Sequence, residues 1–260
     1  MNVKTLLNGL LLIPLLSANA AFCEEPEWHY ETQAQWGALE DTDPALPVPL
    51  KYPYAVCGIG QYQSPVELSG RKLEKKLDTL TFRYTKFAAD FVNNGHAVQE
   101  IPEDDEYRGK LKIGPLDYPL IQFHFHTPSE HVIGGRHFPA ELHFVHIRDD
   151  GRAAVVGVLI ETGDKPNKTL QTIIDNTPSE PGHNVSDVIV NPNDLLPAQR
   201  KPYYAYAGSL TTPPCREGIE WFVLARPITA TAQQIAQLRS LEHDNHRDPQ
   251  PLNGRTVAGN

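Results

Sequence analysis

Two short segments in which histidines alternate with apolar residues constrain the fold of this chain more than any other feature. The first reads IQFHFH over positions 121–126, and the second reads ELHFVHI over positions 141–147. Residues two apart on a β-strand point to the same face of the sheet. As a strand, the first segment places His124 and His126 on one face and its phenylalanines on the other, and Pro128 argues against a helix here. Both segments are therefore predicted to be strands.

The histidines of the two segments can form a metal site if the strands lie side by side. His143 then faces the same cavity as His124 and His126, which gives three imidazole ligands. A catalytic zinc ion usually has three protein ligands and an open position. Gln122 and Glu141 each stand two residues before one of these histidines, where they can accept its second N–H. The alternative is that all five are ordinary core or surface residues.

Length and charge limit the classes of protein that need to be considered. The 260 residues suit one large domain, and they contain neither a repeat nor a low-complexity tract. The formal net charge is −9 at pH 7, and no cluster of Lys and Arg stands out. An acidic chain without a basic patch argues against a nucleic-acid partner.

The first 20 residues have the pattern of a secretory signal peptide. Lys4 precedes a short apolar run, and Ala18 and Ala20 provide a small-residue cleavage site. We expect residues 1–20 to be removed and residues 21–260 to form a single domain that is periplasmic or secreted. No later apolar run is long enough to span a membrane.

Export to an oxidising compartment permits disulfide bonds, and the chain has three cysteines. Cys57 and Cys215 both lie in turn-like sequence, and we expect them to be joined. Such a bridge would contribute about 4–5 kcal/mol at most in the chain-entropy model. Cys23 is then left free or available for an intermolecular bond.

Hydrophobic patterns predict a chain that is mainly β with short helices. Strand candidates are alternating or fully apolar and rich in β-branched and aromatic residues. They span 79–86, 89–93, 96–101, 110–113, 121–126, 141–147, 153–161 and 219–226. Two amphipathic segments, 167–176 and 229–243, are predicted helices.

A further polar signal lies in positions 206–224, before an apolar strand. Thr211 there can accept the proton of a hydroxide, provided that its own hydroxyl donates to a carboxylate. Glu130 is the right kind of residue to accept that bond. Such a relay would aim a lone pair of the hydroxide at an electrophile, and from the residues alone it is a geometric possibility.

Five motifs together resemble the α-class carbonic anhydrases. They are NNGHA (93–97), QFHFHTPSEH (122–131), AELHFVH (140–146), GSLTTPPC (208–215) and QPLNGR (250–255). The resemblance runs from about Trp28 to the C-terminus, and it is greatest to the compact, exported bacterial members. The implied fold is a single large, twisted, mostly antiparallel central sheet with short peripheral helices and a conical zinc site.

The resemblance also implies a role for individual residues. Zinc would bind to His124, His126 and His143. The hydrogen-bond partners of these ligands would be Gln122, Glu141 and the backbone carbonyl of Asn245. Thr211, held by Glu130, would orient the hydroxide, and His96 would carry the proton away. Thr212 would position bicarbonate, and the apolar wall that receives CO2 would be Val145, Val155, Leu210, Ile219 and Trp221.

Two polar residues, Asn94 and Tyr30, are implied to order a chain of water molecules. The assignment of Tyr30 depends on aligning EWHY with the Trp-Gly-Tyr of the family, where this chain has His29 in place of glycine. A further polar position of the family carries Gln99 here, where many members have Asn.

The activity implied by the resemblance is reversible, zinc-dependent hydration of CO2 to bicarbonate and a proton. Zinc-bound hydroxide would attack CO2, and His96 would export the proton. Weak esterase activity and inhibition by sulfonamides and small anions are expected from the family. The sequence leaves a homodimer open.

Two other functions compete with this interpretation. The first is a non-catalytic binding module of the same family, but such members have lost a zinc ligand, whereas the three histidines, Thr211 and Glu130 are intact here. The second is a zinc esterase, because the same hydroxide can attack activated esters. Specificity constants for CO2 and an aryl ester would separate the two activities.

Overall fold

The computed structural model describes residues 26–42, 46–48, 50–70, 72–73, 77–103, 107 and 109–259. The predicted signal peptide at positions 1–20 and Cys23 lie outside the described residues. Within the described part of the chain, no helix combines the length and the apolar character needed to cross a membrane.

Fourteen strands are present among the described residues. They are β1 (Lys72–Leu73), β2 (Leu80–Arg83), β3 (Phe87–Asn93), β4 (Val98–Pro102), β5 (Lys110–Ile113), β6 (Leu116–His126), β7 (Val132–Ile133), β8 (Arg136–His137), β9 (Ala140–Ile147), β10 (Ala153–Thr162), β11 (Gly182–Val190), β12 (Tyr203–Ser209), β13 (Glu217–Ala230) and β14 (Ala258–Gly259). Twelve of them form one sheet, and β7 and β8 form a separate hairpin.

The main path through the sheet runs in the order β1-β14-β12-β13-β10-β9-β6-β4-β3-β11. Strand β5 pairs with β6 and with β2 beside this path. The pairs β10–β13 and β1–β14 are parallel, and the other pairs are antiparallel. The prediction of a mainly β chain with one large, mostly antiparallel sheet is confirmed.

Strands β6, β9 and β10 lie side by side at the centre of this sheet. The register places His124 of β6 opposite His143 of β9, and Gly157 of β10 lies opposite His143 on its other side. The two histidine segments are therefore neighbouring antiparallel strands, as the metal-site prediction required. The strands that carry the histidines, β6 and β9, are paired on both sides within the sheet.

The two faces of the sheet bury separate apolar clusters. One contains Phe123 and Phe125, and the other contains Val155 and Trp221. Successive residues of a strand point to opposite faces, so β10 contributes Val156 to the first cluster and Val155 to the second. Each fully buried large apolar side chain contributes about 1.5–3 kcal/mol relative to an exposed one. These strands therefore hold the sheet together from both sides.

Three α-helices lie among the described residues: α1 (Ala55–Ile59), α2 (Lys168–Asn176) and α3 (Ala232–Glu242). Two 3-10 helices span Tyr30–Ala38 and Pro192–Leu195. The side chain of Asn167 caps α2 by accepting from the Leu170 N–H. Thr231 and Gln234 form a capping box at the start of α3. Both predicted helices are present, although α3 begins three residues late because positions 229–230 belong to β13.

Strand prediction failed where the sequence lacks the apolar alternation that it relies on. Strand β11 is an edge strand that reads GHNVSDVIV, and most of its side chains are exposed or half-buried. Strand β12 reads YYAYAGS, with small residues in its second half. Neither strand was predicted. The predicted strand 79–86 also ended too late, because β2 stops at Arg83.

Candidate metal centre and active site

The three predicted zinc ligands form one cluster, which we call the imidazole triad (His124, His126 and His143). The ring centroids are 5.0 Å apart for His124 and His126, 5.3 Å for His124 and His143, and 4.6 Å for His126 and His143. One nitrogen of each ring lies within 4.8 Å of one nitrogen of each other ring. The alternation of β6 and its pairing with β9 therefore bring three nitrogen donors to one point.

A hydrogen bond at the second nitrogen orients each ring of the triad. His124 Nδ1 lies 2.9 Å from Gln122 Oε1, and His126 Nδ1 donates to the carbonyl of Asn245 at 2.7 Å. His143 Nε2 lies 3.0 Å from Glu141 Oε1. These contacts leave Nε2 of His124, Nε2 of His126 and Nδ1 of His143 for a metal.

The lowered pKa of two imidazoles and a buried nitrogen without a hydrogen bond both suit the binding of a metal ion by the triad. Burial lowers the pKa of His126, and burial together with the other two imidazoles lowers that of His124 well below its usual value. The rings of His124 and His126 are therefore neutral near pH 7, as ligation requires. Nε2 of His126 is buried and has no hydrogen-bond partner among the described residues. Three clustered imidazoles, one of which has an unpaired buried nitrogen, match the ligand set of a catalytic zinc site.

Glu141 belongs to a buried network that the sequence did not reveal. Its Oε1 accepts from His143 and also from His131 Nδ1, at 2.7 Å, and its Oε2 accepts from the His131 N–H at 2.8 Å. The hydroxyl of Tyr206 lies 2.7 Å from His131 Nε2 and 3.0 Å from Ser64 Oγ. Burial raises the pKa of Glu141, but the two imidazoles outweigh it and hold that pKa well below its usual value. Glu141 is thus a carboxylate that fixes His143.

His131 had no predicted role, because it lies in a loop where strand alternation gives no signal. It is fully buried, and its imidazole links Glu141 to Tyr206. The only available signal was its position directly after Glu130 in the motif SEH, which does not indicate the direction of the side chain.

Glu130 lies beside the triad with one oxygen unsatisfied. Its Oε1 accepts from the Arg247 N–H at 2.8 Å. Its Oε2 is buried without a hydrogen-bond partner among the described residues, 3.6 Å from His126 Nε2 and 3.9 Å from His143 Nδ1. Thr211 is buried after β12, and the structure shows no hydrogen bond between Thr211 and Glu130. The relay between these residues therefore stays a prediction.

The five residues predicted to form an apolar wall belong to one cluster on the face of β9, β10 and β13. Val155, Ile219 and Trp221 are buried in it, and Val145 and Leu210 pack against it half-buried. The indole of Trp221 lies 4.8 Å from the imidazole of His143, centroid to centroid. The wall therefore adjoins the triad. Thr212 is half-buried in the same loop as Leu210.

His96 lies in a tight turn between β3 and β4, which we call the His96 turn (positions 93–97). Asn94 Oδ1 accepts from the N–H groups of His96 and Ala97, at 2.9 and 2.8 Å, so its side chain holds the turn. The imidazole of His96 stacks on the indole of Trp28, with centroids 3.9 Å apart and planes 14° apart. Burial, and then the charge of His29, lower the pKa of His96 from its usual value of 6.5.

The other two polar positions, Tyr30 and Gln99, lie in different parts of the site. Tyr30 is buried against Trp28 and Trp36, its hydroxyl has no hydrogen-bond partner among the described residues, and burial raises its pKa well above the usual value. Gln99 lies opposite His124 on the neighbouring strand β4, half-buried. The structure thus places Gln99 beside the triad and Tyr30 in the aromatic cluster under the His96 turn.

The predicted disulfide is present between Cys57 and Cys215, which are 158 positions apart in sequence. Cys215 is fully buried with Trp36 and follows the loop that carries Thr211 and Thr212. The bridge therefore ties this loop to α1.

Comparison with known proteins identifies the family. The sequence model of the family described as eukaryotic-type carbonic anhydrase matches residues 49–260. The chain is 38% identical over 255 residues to a carbonic anhydrase of Pectobacterium atrosepticum, with 96% of each chain covered. It is 37% identical over 228 residues to a carbonic anhydrase of Nostoc sp., covering 85% of this chain and 84% of that protein.

A solved structure gives the same result. The α-carbonic anhydrase of Thermovibrio ammonificans, in complex with the inhibitor sulfanilamide, matches with a TM-score of 0.80 at 36% identity, over 90% of this chain and 100% of that chain. The chain therefore belongs to the eukaryotic-type, or α-class, carbonic anhydrases, and it is a lyase that hydrates CO2.

Proposed function

We propose that the imidazole triad holds a zinc ion and that the enzyme hydrates CO2 reversibly at this site. The observation that carries the proposal is the set of three imidazoles, each oriented by a hydrogen bond, in which His126 Nε2 is buried and unpaired. Zinc bound there would lower the pKa of a bound water to about 7, the value known for carbonic anhydrase itself, and so supply hydroxide near neutral pH.

Glu130 and Thr211 orient the hydroxide. The free Oε2 of Glu130 can accept a hydrogen bond from the Thr211 hydroxyl, because its other oxygen is already occupied by the Arg247 N–H. The oxygen of Thr211 can then only accept, so it would accept a hydrogen bond from the hydroxide that a bound zinc ion supplies. This bond would direct a lone pair of the hydroxide at the carbon of CO2.

The apolar wall receives CO2, since Val145, Val155 and Trp221 present hydrocarbon and offer no competing hydrogen bonds. Leu210 and Ile219 complete that surface, and Thr212 positions the bicarbonate formed.

His96 carries the proton from the site to the buffer, across water ordered by Asn94 and Tyr30. Its lowered pKa keeps the imidazole neutral near pH 7, so it is ready to accept a proton and to release it again. The stack on Trp28 holds the ring at a half-buried position.

Inhibition and side activity follow from the same chemistry. The matched structure from Thermovibrio ammonificans contains sulfanilamide, and we propose that sulfonamides and small anions bind this triad as well. The hydroxide can also attack activated esters, so weak esterase activity is expected.

We propose further that residues 1–20 export the protein to the periplasm or the medium, where the Cys57–Cys215 bond is stable. A homodimer remains open.

Two measurements on residues 21–260 test the proposal. We expect about one zinc ion per chain by elemental analysis and CO2 hydration in a stopped-flow assay. A protein that binds zinc and does not hydrate CO2 would instead be a binding module. A specificity constant for an aryl ester above that for CO2 would make it an esterase.

A further inference from the structure

Two buried glutamates have no role in the site described above. Glu100 on β4 is 0% exposed, and Glu242, the last residue of α3, is 4% exposed. A buried carboxylate is costly unless hydrogen-bond donors or opposite charges compensate it. The groups around each carboxyl group therefore indicate its role.

The two carboxyl groups have opposite surroundings. Glu242 Oε1 accepts from the Val98 N–H at 3.1 Å, and its Oε2 accepts from the side-chain amide of Asn245. Both oxygens of Glu100 are buried and have no hydrogen-bond partner among the described residues. Burial raises the pKa of both groups well above the usual value, and the charge of Glu100 would raise that of Glu242 further. Glu242 is therefore held by a hydrogen-bond donor at each of its oxygens, whereas Glu100 has none among the described residues.

Asn245, the partner of Glu242, touches both functional parts of the site. Its backbone carbonyl accepts from His126 Nδ1 at 2.7 Å. Its side-chain amide also lies 3.2 Å from the carbonyl of His96 and 3.0 Å from that of Phe125. Its Oδ1 accepts from the Thr127 N–H at 2.8 Å. One asparagine thus connects a ligand strand to the His96 turn.

We propose that Glu242 is a positioning residue, which holds the zinc ligand His126 and the proton carrier His96 in fixed relation through Asn245. The inference rests on the proposed roles of those two histidines. The carboxylate holds the loop after α3 through the Asn245 amide, and it holds the first residue of β4 through the Val98 N–H. The carbonyl that orients His126 is therefore fixed by a carboxyl group that does not contact the triad.

Exchange of each glutamate for glutamine gives a matched test. A glutamine at 242 offers one acceptor oxygen and one NH2 group to two N–H donors, so one of the two contacts becomes unfavourable. A glutamine at 100 keeps the shape of the side chain and breaks no hydrogen bond, because neither oxygen of Glu100 has a partner among the described residues. We expect Glu242→Gln to weaken zinc binding about 10-fold, the lower end of the range for a residue that orients a ligand. We expect Glu100→Gln to stay within about 2-fold of wild type.

The measurements are chelator competition for zinc and kcat for CO2 in weak buffer, with the unfolding temperature as a control. The proposal predicts that Glu242→Gln lowers both the zinc affinity and kcat. Two results would overturn it. In the first, Glu242→Gln lowers the unfolding temperature but leaves zinc affinity and kcat as in wild type. In the second, both variants lower zinc affinity equally.

A second variant keeps the test decisive if Glu242→Gln does not fold. Glu242→Asp retains the carboxyl group and withdraws it by one methylene, so it should weaken zinc binding by a smaller factor while keeping the fold. An aspartate variant with wild-type zinc affinity would count against the proposal. Failure of the zinc site itself is separate, because it would appear as a wild-type protein that does not bind zinc.

Discussion

The imidazole triad and the His96 turn are held in place by different kinds of contact. Each ring of the triad has one nitrogen fixed by a hydrogen bond, and its ligands come from two paired central strands. His96 has only its backbone fixed, by the side chain of Asn94, and its ring is restrained by stacking on Trp28.

The difference matches what each group has to do. A tetrahedral metal requires three nitrogen atoms at nearly fixed positions, so a small displacement of one ligand weakens all the bonds. A proton can cross ordered water and can also be accepted by buffer, so the position of its acceptor is less critical. Damage to the triad should therefore abolish activity, whereas damage to the turn should slow one step.

The largest effect is expected where the triad itself is broken. His143→Ala leaves two imidazoles, which hold zinc poorly, so the protein should lose most of its zinc and essentially all hydration activity. The loss should exceed the roughly 10–100-fold caused by removal of an outer partner. Elemental analysis and stopped-flow hydration measure it. His183→Ala removes an exposed imidazole outside the site and should behave as wild type. Full zinc content in His143→Ala would reject the ligand assignment.

A smaller effect should follow when a partner of the triad is displaced. A Cβ atom at Gly157 would lie 2.8 Å from Glu141 Oε1 and 3.3 Å from Val223 Cγ2. Glu141 would have to move, and its hold on His143 would weaken. We expect Gly157→Ala to reduce zinc affinity about 10-fold in chelator competition. Gly70→Ala, where no atom lies within 4 Å of the new Cβ, is the matched control. Equal affinities in the two variants would show that Glu141 does not orient His143.

The triad could be predicted from the sequence because the pattern that indicates it lies within two short segments. The alternation in positions 121–126 and 141–147 fixes which side chains share a face, and the pairing of β6 with β9 then brings them together. The adjacency of the two strands was an assumption, supported by the family resemblance. The helices were predicted for the same reason, since the spacing of apolar residues on one helical face is also local information.

The contacts that the sequence did not reveal are long-range or lie in loops. Glu242 meets Val98 across 144 positions of sequence, and Asn245 meets His126 across 119. No periodicity encodes such pairs; the Asn245 contact was expected from the family resemblance alone, and that of Glu242 was not expected at all. His131 is similar, since its partner Glu141 is near in sequence but the short β7–β8 hairpin that brings the two together was not predicted. Strands β11 and β12 were missed because tertiary pairing, and not their composition, makes them strands.

A substitution in the His96 turn is expected to affect only the export of the proton. His96→Ala should lower kcat about 10-fold or more in weak buffer, because a positioned proton acceptor is lost. Since the triad is untouched, kcat/KM for CO2 and the zinc content should stay near wild type. A small imidazole buffer should restore much of the rate. Stopped-flow kinetics across buffer concentration measure this, and a parallel fall of kcat and kcat/KM would show that His96 is not the proton carrier.

The smallest expected effect concerns the ring stack, and it shows whether burial or charge sets the pKa of His96. Burial is the larger cause of the lowered pKa, and the charge of His29 is the smaller. Trp28→Ala should therefore raise the pKa of His96 toward 6.5 by more than His29→Gln does, as measured by NMR titration of the imidazole. A higher pKa makes His96 a better proton acceptor but a slower donor to buffer, so kcat near pH 7 should change less than about 3-fold. A larger shift in His29→Gln than in Trp28→Ala would mean that charge at the surface, and not the stack, sets the pKa of this residue.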